Sequence, residues 1–309
     1  FTGVRGVEDL PPYASNEAPP YPPDRAALHH VFDGGWIWVL PFNNGITSAG
    51  VAASSSLAGK LGFEEGESGW NRLLETLPTV AEQFSEATPV LPFVHARKLP
   101  FRSGTVVGDR WGMVASASGF VDPLLSTGFP LTLFSILRLA EIMSAGWKSA
   151  DLAARLDTYA SETTEDLLAA ERLVAALYAN MHDFTLFTSL SLLYFAAASY
   201  AETAGRLGKP ELARSFLLRD HPVFGPQSRA CLQQAMRPLA PDQKSELMKR
   251  IEQTIEPVNV AGLNNPGRRN WYPVAAGDLF DSAHKVNATR DEIEELLDRC
   301  GFFPGTATA

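Results

Sequence analysis

The spacing of hydrophobic residues changes near residue 129 of the chain. Residues 1–128 are rich in Gly, Pro and β-branched or aromatic residues, whereas residues 129–309 carry Ala, Leu and Glu at helical spacing. Alternating apolar positions are typical of strands, and apolar positions three to four residues apart are typical of helices. The pattern therefore predicts an α+β protein with a sheet-rich part over residues 1–128 and a mostly helical C-terminal region over residues 129–309.

Three short strands are predicted in the first part, in "ALHHVF", "WIWVLPF" and "ITSAGVAAS". The segments "DGG" and "NNG" separate them, and both are typical of hairpin turns. We therefore expect an antiparallel meander. Helices are predicted next in "SGWNRLLETL" and "TVAEQFSEA", followed by a strand in "VLPFV" and by a strand and loop in "RWGMVASASGF".

Helical spacing dominates the second part. The segment Leu131–Ser144 carries apolar residues on one face, and Gly146 suits its C-terminal cap. Further helices are predicted at residues 149–160, 163–180, 183–206, 226–238, 242–255 and 289–299. The run "FTLFTSLSLLYFAAASYA" approaches membrane-spanning length, yet it carries five Ser or Thr and lacks basic flanks. We interpret it as a buried core helix and expect no membrane span.

Charge and cysteine content narrow the possible functions. A formal net charge of -9 and a pI near 5.2 argue against nucleic acid as a partner, because phosphate binding needs clustered Lys and Arg. Cys231 and Cys300 lack the spacing of a metal site or a disulfide framework, and "FTGVRGVEDL" does not resemble a signal peptide. His29 and His30 are adjacent on a predicted strand, so they point to opposite faces and cannot share an ion. We expect a cytoplasmic protein without a metal site.

The segment "FVDPLLSTGFPLTL" combines a turn with the start of a helix. Ser126 and Thr127 occupy the position of a helix cap, Gly128 permits close approach of the backbone, and Pro130 suits the first helical position. Free amides at residues 127–129 would then attract an anion, either a halide or the edge of a reduced flavin. The alternative is a capped helix end that is exposed to solvent.

Two motifs in this sequence resemble those of one enzyme family. "FVDPLLSTG" fits the pattern F-x-x-P-x-x-S-x-G of flavin-dependent halogenases at all four fixed positions. "GWIWVLP" is similar to the family's second signature, W-x-W-x-I-P, with Leu40 in place of Ile. The chain thus resembles the tryptophan-halogenase-like branch of the FAD-dependent oxidoreductases, in which the fold is related to that of flavin monooxygenases.

The resemblance implies roles for the matching residues. The loop at residues 115–128 would lie against FAD, and the amides of Thr127 and Gly128 would hold a halide or the flavin carbonyl. Trp36 and Trp38 would lie near the passage between flavin and substrate, although two aromatic residues on one strand face are more often core residues. The implied cofactor contacts are Ser116, Phe120, Pro123, Leu124, Leu125, Ser126, Thr127 and Gly128.

The sequence also departs from the family pattern. Ala115-Ser116 stands where the family has Gly-Asp, so the bond from Ser116 to a ribityl hydroxyl would lack charge assistance. The family's G-x-G-x-x-G turn, which approaches the pyrophosphate, does not occur in these 309 residues. The resemblance therefore implies a C-terminal portion that retains a remnant of the FAD-binding fold and is inactive alone. It leaves the catalytic residue unknown.

Three functional hypotheses follow from these observations. The first is a halogenase that uses reduced FAD, oxygen and halide on an electron-rich small molecule, with a separate flavin reductase as a further partner. The second is a flavin monooxygenase or an unsaturated-lipid reductase on the same scaffold. The third is a non-catalytic fragment or binding module, which the missing glycine-rich turn and Ser116 would favour.

Overall fold

A computed structural model describes residues 1–10, 22–265, 267 and 275–302. The chain forms two compact units. The first contains Phe1–Lys98 with Met181–Phe184, and the second contains Leu99–Asn180 with Thr185–Ala309. The predicted division after residue 128 separates a sheet-rich, flavin-facing part from a helical region, and it stays a prediction.

The first unit contains the predicted three-stranded meander. Its strands are β1 (Leu28–Phe32), β2 (Gly35–Pro41) and β3 (Thr47–Ala53), paired antiparallel in the order β1-β2-β3. The turns contain Gly34 at φ 81° and Gly45 at φ 78°, a conformation that glycine adopts without steric cost. The meander and both of its turns are therefore confirmed.

One face of this sheet packs on helices. These are α1 (Ser55–Leu61), α2 (Glu67–Thr76) and α3 (Pro78–Gln83), of which α2 and α3 confirm the predicted pair. The buried residues that the sheet and helices share are Ile37, Val39, Leu61, Trp70, Leu73, Val80 and Phe84. The predicted strand in "VLPFV" is wrong, because residues 90–94 are irregular and pair with no strand of the described chain.

The second unit opens with short strands. β4 (Phe101–Arg102) pairs with β7 (Gly119–Phe120), and β5 (Val107–Gly108) pairs with β6 (Trp111–Gly112). A one-turn helix, α4 (Ala115–Ser118), lies between β6 and β7. A strand followed by a loop was predicted in "RWGMVASASGF", and the strand is wrong where it was to end, because Ala115 and Ser116 are helical. Side-chain hydrogen bonds close this turn, since Ser118 Oγ donates to the Ala115 carbonyl at 3.0 Å and the Ala115 amide donates to Ser135 Oγ at 3.0 Å.

Helices dominate the rest of the described chain. They are α5 (Gly128–Ser144), α6 (Leu152–Ala179), α7 (Phe184–Arg206), α8 (Phe224–Ala235), α9 (Pro241–Ile255), α10 (Ala276–Ser282) and α11 (Arg290–Arg299). The two helices predicted at 149–160 and 163–180 are one continuous helix, since neither Gly nor Pro interrupts the sequence between them. The short helix α10 was not predicted. The α+β class and the mostly helical second part are confirmed.

Two segments are long and apolar enough to cross a membrane by length and composition alone. They are Leu124–Ser144, with 22% of its most apolar window buried, and Phe184–Arg206, with 56% buried. Core helices of globular proteins pass the same test, so these two segments do not establish a span. Helix α5 nevertheless differs from a core helix, because it exposes Phe129, Leu133, Ile136, Leu137 and Met143.

Candidate functional site

The segment Phe120–Gly128, here called the flavin loop, joins β7 to α5 in the second unit. It forms a tight turn at Leu124–Ser126, and Thr127 then occupies the N-cap position of α5 without a capping hydrogen bond from its side chain. Leu125 and Ser126 both have left-handed backbone angles, with φ values of 59° and 53°. This conformation costs a non-glycine residue about 1–2 kcal/mol, so two successive residues of this kind must be held by their surroundings.

Buried groups hold the loop just before the strained pair. Leu124 is fully buried, and Asp122 is 8% exposed. The Leu124 amide donates to Asp122 Oδ1 at 2.9 Å, and the Tyr178 hydroxyl on α6 donates to Asp122 Oδ2 at 2.9 Å. The Ser126 amide donates to the Pro123 carbonyl at 3.0 Å. The backbone from Asp122 to Ser126 is therefore fixed by hydrogen bonds from inside the loop and from α6.

The start of α5 differs in detail from the sequence-based prediction. The helix begins at Gly128, so Pro130 is its third residue and not its first. Proline is tolerated there because the amides of the first turn have no partner within a helix. The Leu131 amide bonds back to the Thr127 carbonyl at 3.4 Å, which leaves the amides of Gly128 and Phe129 without an intrahelical acceptor. This helix end favours an anion by about 0.3–1 kcal/mol, and by up to about 2 kcal/mol when partly buried.

The surface of the loop leaves room for a ligand. A Cβ atom placed on Gly128 would have no described atom within 4 Å. Ser116 and Ser126 are exposed, and the other predicted cofactor contacts that are partly exposed are Phe120, Pro123, Leu125 and Gly128. Leu124 and Thr127 are 0% and 1% exposed as whole residues, so both their side chains and their backbone are covered by the described chain. An open helix N-terminus beside partly exposed apolar side chains fits a planar, electron-accepting ring.

The sequence predicted Ser116 at the end of a strand. In the structure it lies on the one-turn helix α4. Its side chain is exposed. The one-turn helix that carries it is tied to α5 by the bond from the Ala115 amide to Ser135 Oγ. Its contact with a ribityl hydroxyl stays a prediction.

The paired tryptophans lie on one face of the meander in the first unit. Their ring centroids are 5.8 Å apart, and Trp36 also meets His29 edge to face at 4.7 Å. Trp36 is 1% exposed, whereas Trp38 is partly exposed and lies across Gly50, where a Cβ atom would overlap the indole. Trp36 thus has the burial of a core residue. The substrate-passage role of both residues stays a prediction.

The two adjacent histidines face opposite sides of β1. His29 contacts Trp36, whereas His30 Nε2 lies 2.8 Å from Gln83 Oε1. The Gln83 amide nitrogen donates to the Arg5 carbonyl, so its oxygen must accept a hydrogen bond from His30. Burial lowers the pKa of both imidazoles. Within the described part of the chain, no group of three or more His, Cys, Asp or Glu is placed to hold a metal ion.

Sequence reasoning missed the buried polar groups behind the loop. The Asp-Pro dipeptide signals that Asp122 bonds the backbone two residues on, but no local pattern in the sequence predicted a contact between Asp122 and Tyr178. A second cluster joins α5 to α6, where Arg138 lies 2.8 Å from Asp166 and 3.1 Å from Glu162. Burial raises the pKa of Asp166, and the charge of Arg138 opposes that shift. These contacts anchor the helix that begins at the flavin loop.

Comparisons with known proteins bear directly on this chain. The family model described as tryptophan halogenase matches residues 12–187, which is more than half of the chain. The monodechloroaminopyrrolnitrin halogenase PrnC of Pseudomonas fluorescens is 30% identical over 174 residues, which are 54% of this chain and 30% of that protein. The tetracycline 7-halogenase of Kitasatospora aureofaciens is 27% identical over 209 residues, which are 64% of this chain and 38% of that protein.

A solved structure shows the same architecture. Halogenase PltM in complex with phloroglucinol and FAD superposes with a TM-score of 0.66 at 25% identity, covering 82% of this chain and 56% of that chain. The present chain thus spans about a third of the length of the two curated relatives and about half of the solved one. The two motifs, the α+β fold and the match over residues 12–187 lead to one conclusion: the chain belongs to the tryptophan halogenase family of flavin-dependent enzymes.

Proposed function

We propose that this chain carries the flavin-loop part of an FAD-dependent halogenase that acts on an electron-rich small molecule. The observation that carries the proposal is the F-x-x-P-x-x-S-x-G motif, because its residues form a strained, internally bonded turn directly before an open helix N-terminus. The activities of the two curated relatives support the same proposal, since both are halogenases.

The loop residues would hold the cofactor and the halide. FAD, when bound, supplies the redox chemistry with oxygen. The amides at Gly128 and Phe129 would orient the halide through hydrogen bonds and the dipole of α5, whereas the Thr127 amide named by the motif belongs to a residue that is only 1% exposed. The partly exposed side chains of Phe120 and Leu125 would exclude water from the reacting edge.

FAD binding would also need a pyrophosphate site. These 309 residues lack the glycine-rich turn, and the solved relative is matched over only 56% of its length. We therefore propose that residues 1–128, with the loop at 115–128, retain a remnant of an FAD-binding fold, and that the chain is inactive unless a dinucleotide-binding segment completes it. We call the chain joined to such a segment the complete enzyme. A cytoplasmic location and a separate flavin reductase belong to the same proposal.

The test compares reactions of the complete enzyme with and without bromide. Reduced FAD, oxygen and phloroglucinol are supplied, and products are identified by mass spectrometry. A brominated product that appears only with bromide is the expected result. An oxygenated product formed equally in both reactions would refute halogenation and identify a flavin monooxygenase. No product and no flavin binding in either reaction would favour the binding module.

A further inference from the structure

Asp122 and Tyr178 form a hydrogen-bonded pair, and neither residue is at a fixed position of the family motifs. Asp122 lies inside the flavin loop, between the fixed motif positions Phe120 and Pro123, and Tyr178 lies near the end of α6. The Asp122 carboxylate accepts hydrogen bonds from the Tyr178 hydroxyl at 2.9 Å and from the Leu124 amide at 2.9 Å. The pair thus connects a loop to a long helix 56 residues further along the chain.

The place of this pair in the loop suggests its purpose. The carboxylate bonds the amide of Leu124, the residue directly before the left-handed pair Leu125 and Ser126. Left-handed residues persist only where neighbouring contacts enforce them. A loop that lost the contact with α6 would relax toward ordinary backbone angles, and the start of α5 would lose its alignment with the turn.

The chemistry of the pair also exceeds what packing requires. Asp122 is 8% exposed, and a carboxylate is costly to bury unless hydrogen bonds compensate for lost water. A charged acceptor forms stronger hydrogen bonds than a neutral one, so one short side chain can restrain both the helix hydroxyl and the loop amide. Preorganisation of this kind improves ligand affinity because the loop is ordered before the ligand arrives.

We propose that Asp122 and Tyr178 are positioning residues that hold the flavin loop in its ligand-ready conformation. The identity of the ligand as FAD rests on the proposed function, whereas the restraint of the loop by the pair does not. Neither residue touches the reacting atoms. Both act through the backbone of Leu124, Leu125 and Ser126.

The first experiment measures the loop in the chain itself, without flavin. Tyr178→Phe removes one hydroxyl group and keeps the ring. We expect amide hydrogen exchange across residues 121–130 to accelerate roughly tenfold or more, as the loss of a hydrogen bond to a charged group predicts. Tyr200→Phe is the matched control, because its hydroxyl donates to the Lys285 carbonyl at 3.0 Å, away from the loop. Exchange in the loop that is equal in both variants would overturn the proposal.

The second experiment measures FAD affinity in the complete enzyme. Tyr178→Phe should raise the Kd for FAD about tenfold while the exchange of α8 and α9 stays unchanged. Asp122→Asn retains one acceptor oxygen, so it should weaken binding less than Asp122→Ala and act as a partial rescue. Faster hydrogen exchange in the loop with an unchanged Kd for FAD would show that the pair stabilises the loop without positioning it for the ligand, which would refute the proposal. A wild-type enzyme that does not bind FAD would refute the proposed function, while the exchange result would still decide whether the pair restrains the loop.

Discussion

Replacing Gly128 with valine separates the folding role of the flavin loop from its binding role. Gly128 is the first residue of α5, and a Cβ atom there would meet no described atom within 4 Å. The valine side chain would therefore project into open space beside the helix N-terminus. Any ligand held by the amides of this turn would have to share that space.

The effects on folding and on binding differ in expected magnitude. Valine and glycine differ in helix propensity by only a few tenths of a kcal/mol, so the free energy of unfolding should change by less than about 0.5 kcal/mol. Crowding a ligand with a branched side chain costs about 1–3 kcal/mol. That range corresponds to a loss of FAD affinity of roughly 5- to 150-fold.

The assay pairs urea denaturation of the chain with FAD titration of the complete enzyme. Gly277→Val is the matched control, because Gly277 is also in the first turn of a helix, α10, and its Cβ would likewise have no described atom within 4 Å. Both variants should unfold at nearly the wild-type urea concentration, and only Gly128→Val should lose FAD affinity.

Two results would refute this reasoning. Equal FAD affinity in Gly128→Val and Gly277→Val would mean that the start of α5 is only a helix cap exposed to solvent. A loss of stability well above 0.5 kcal/mol in Gly128→Val alone would mean that the space beside Gly128 is occupied by protein in the folded chain.

Two further predictions concern stability. Arg138→Met should lower the free energy of unfolding by about 1.5–3 kcal/mol, because it removes the nearer of two cations from the buried Asp166 carboxylate, which keeps Arg219 at 3.4 Å. Urea denaturation measures this loss. Lys148→Met, which changes a lysine without a described ion pair, is the control, and equal midpoints would contradict the prediction. Burial lowers the pKa of His221 below 6.5, and its Nδ1 accepts hydrogen bonds from the amides of Val223 and Phe224. The stabilisation by neutral His221 should be present above pH 6.5 and lost as the pH falls through the lowered pKa. The acid-induced drop in the urea midpoint should therefore be smaller in His221→Asn than in wild type. Parallel curves of midpoint against pH would refute this prediction.

Local sequence signals determined the elements that rest on short-range contacts. Two hairpin turns with glycine at positive φ and alternating strands are sufficient to specify the meander, because its pairing joins neighbouring segments. The F-x-x-P-x-x-S-x-G motif likewise located the turn before α5, since its residues bond within a few positions of one another. The helices of the second part followed from apolar spacing for the same reason.

Tertiary structure decided the features that depend on residues far apart in the chain. The sequence "RWGMVASASGF" predicts a strand followed by a loop, yet Ser135 accepts a hydrogen bond from the Ala115 amide and the centre of the segment forms a helical turn. Tyr178 reaches Asp122 across 56 residues, and Arg138 reaches Asp166 on another helix, contacts that no local pattern encodes. Sequence alone therefore located the flavin loop, whereas only the packing of α5 and α6 determined how its strained backbone is held.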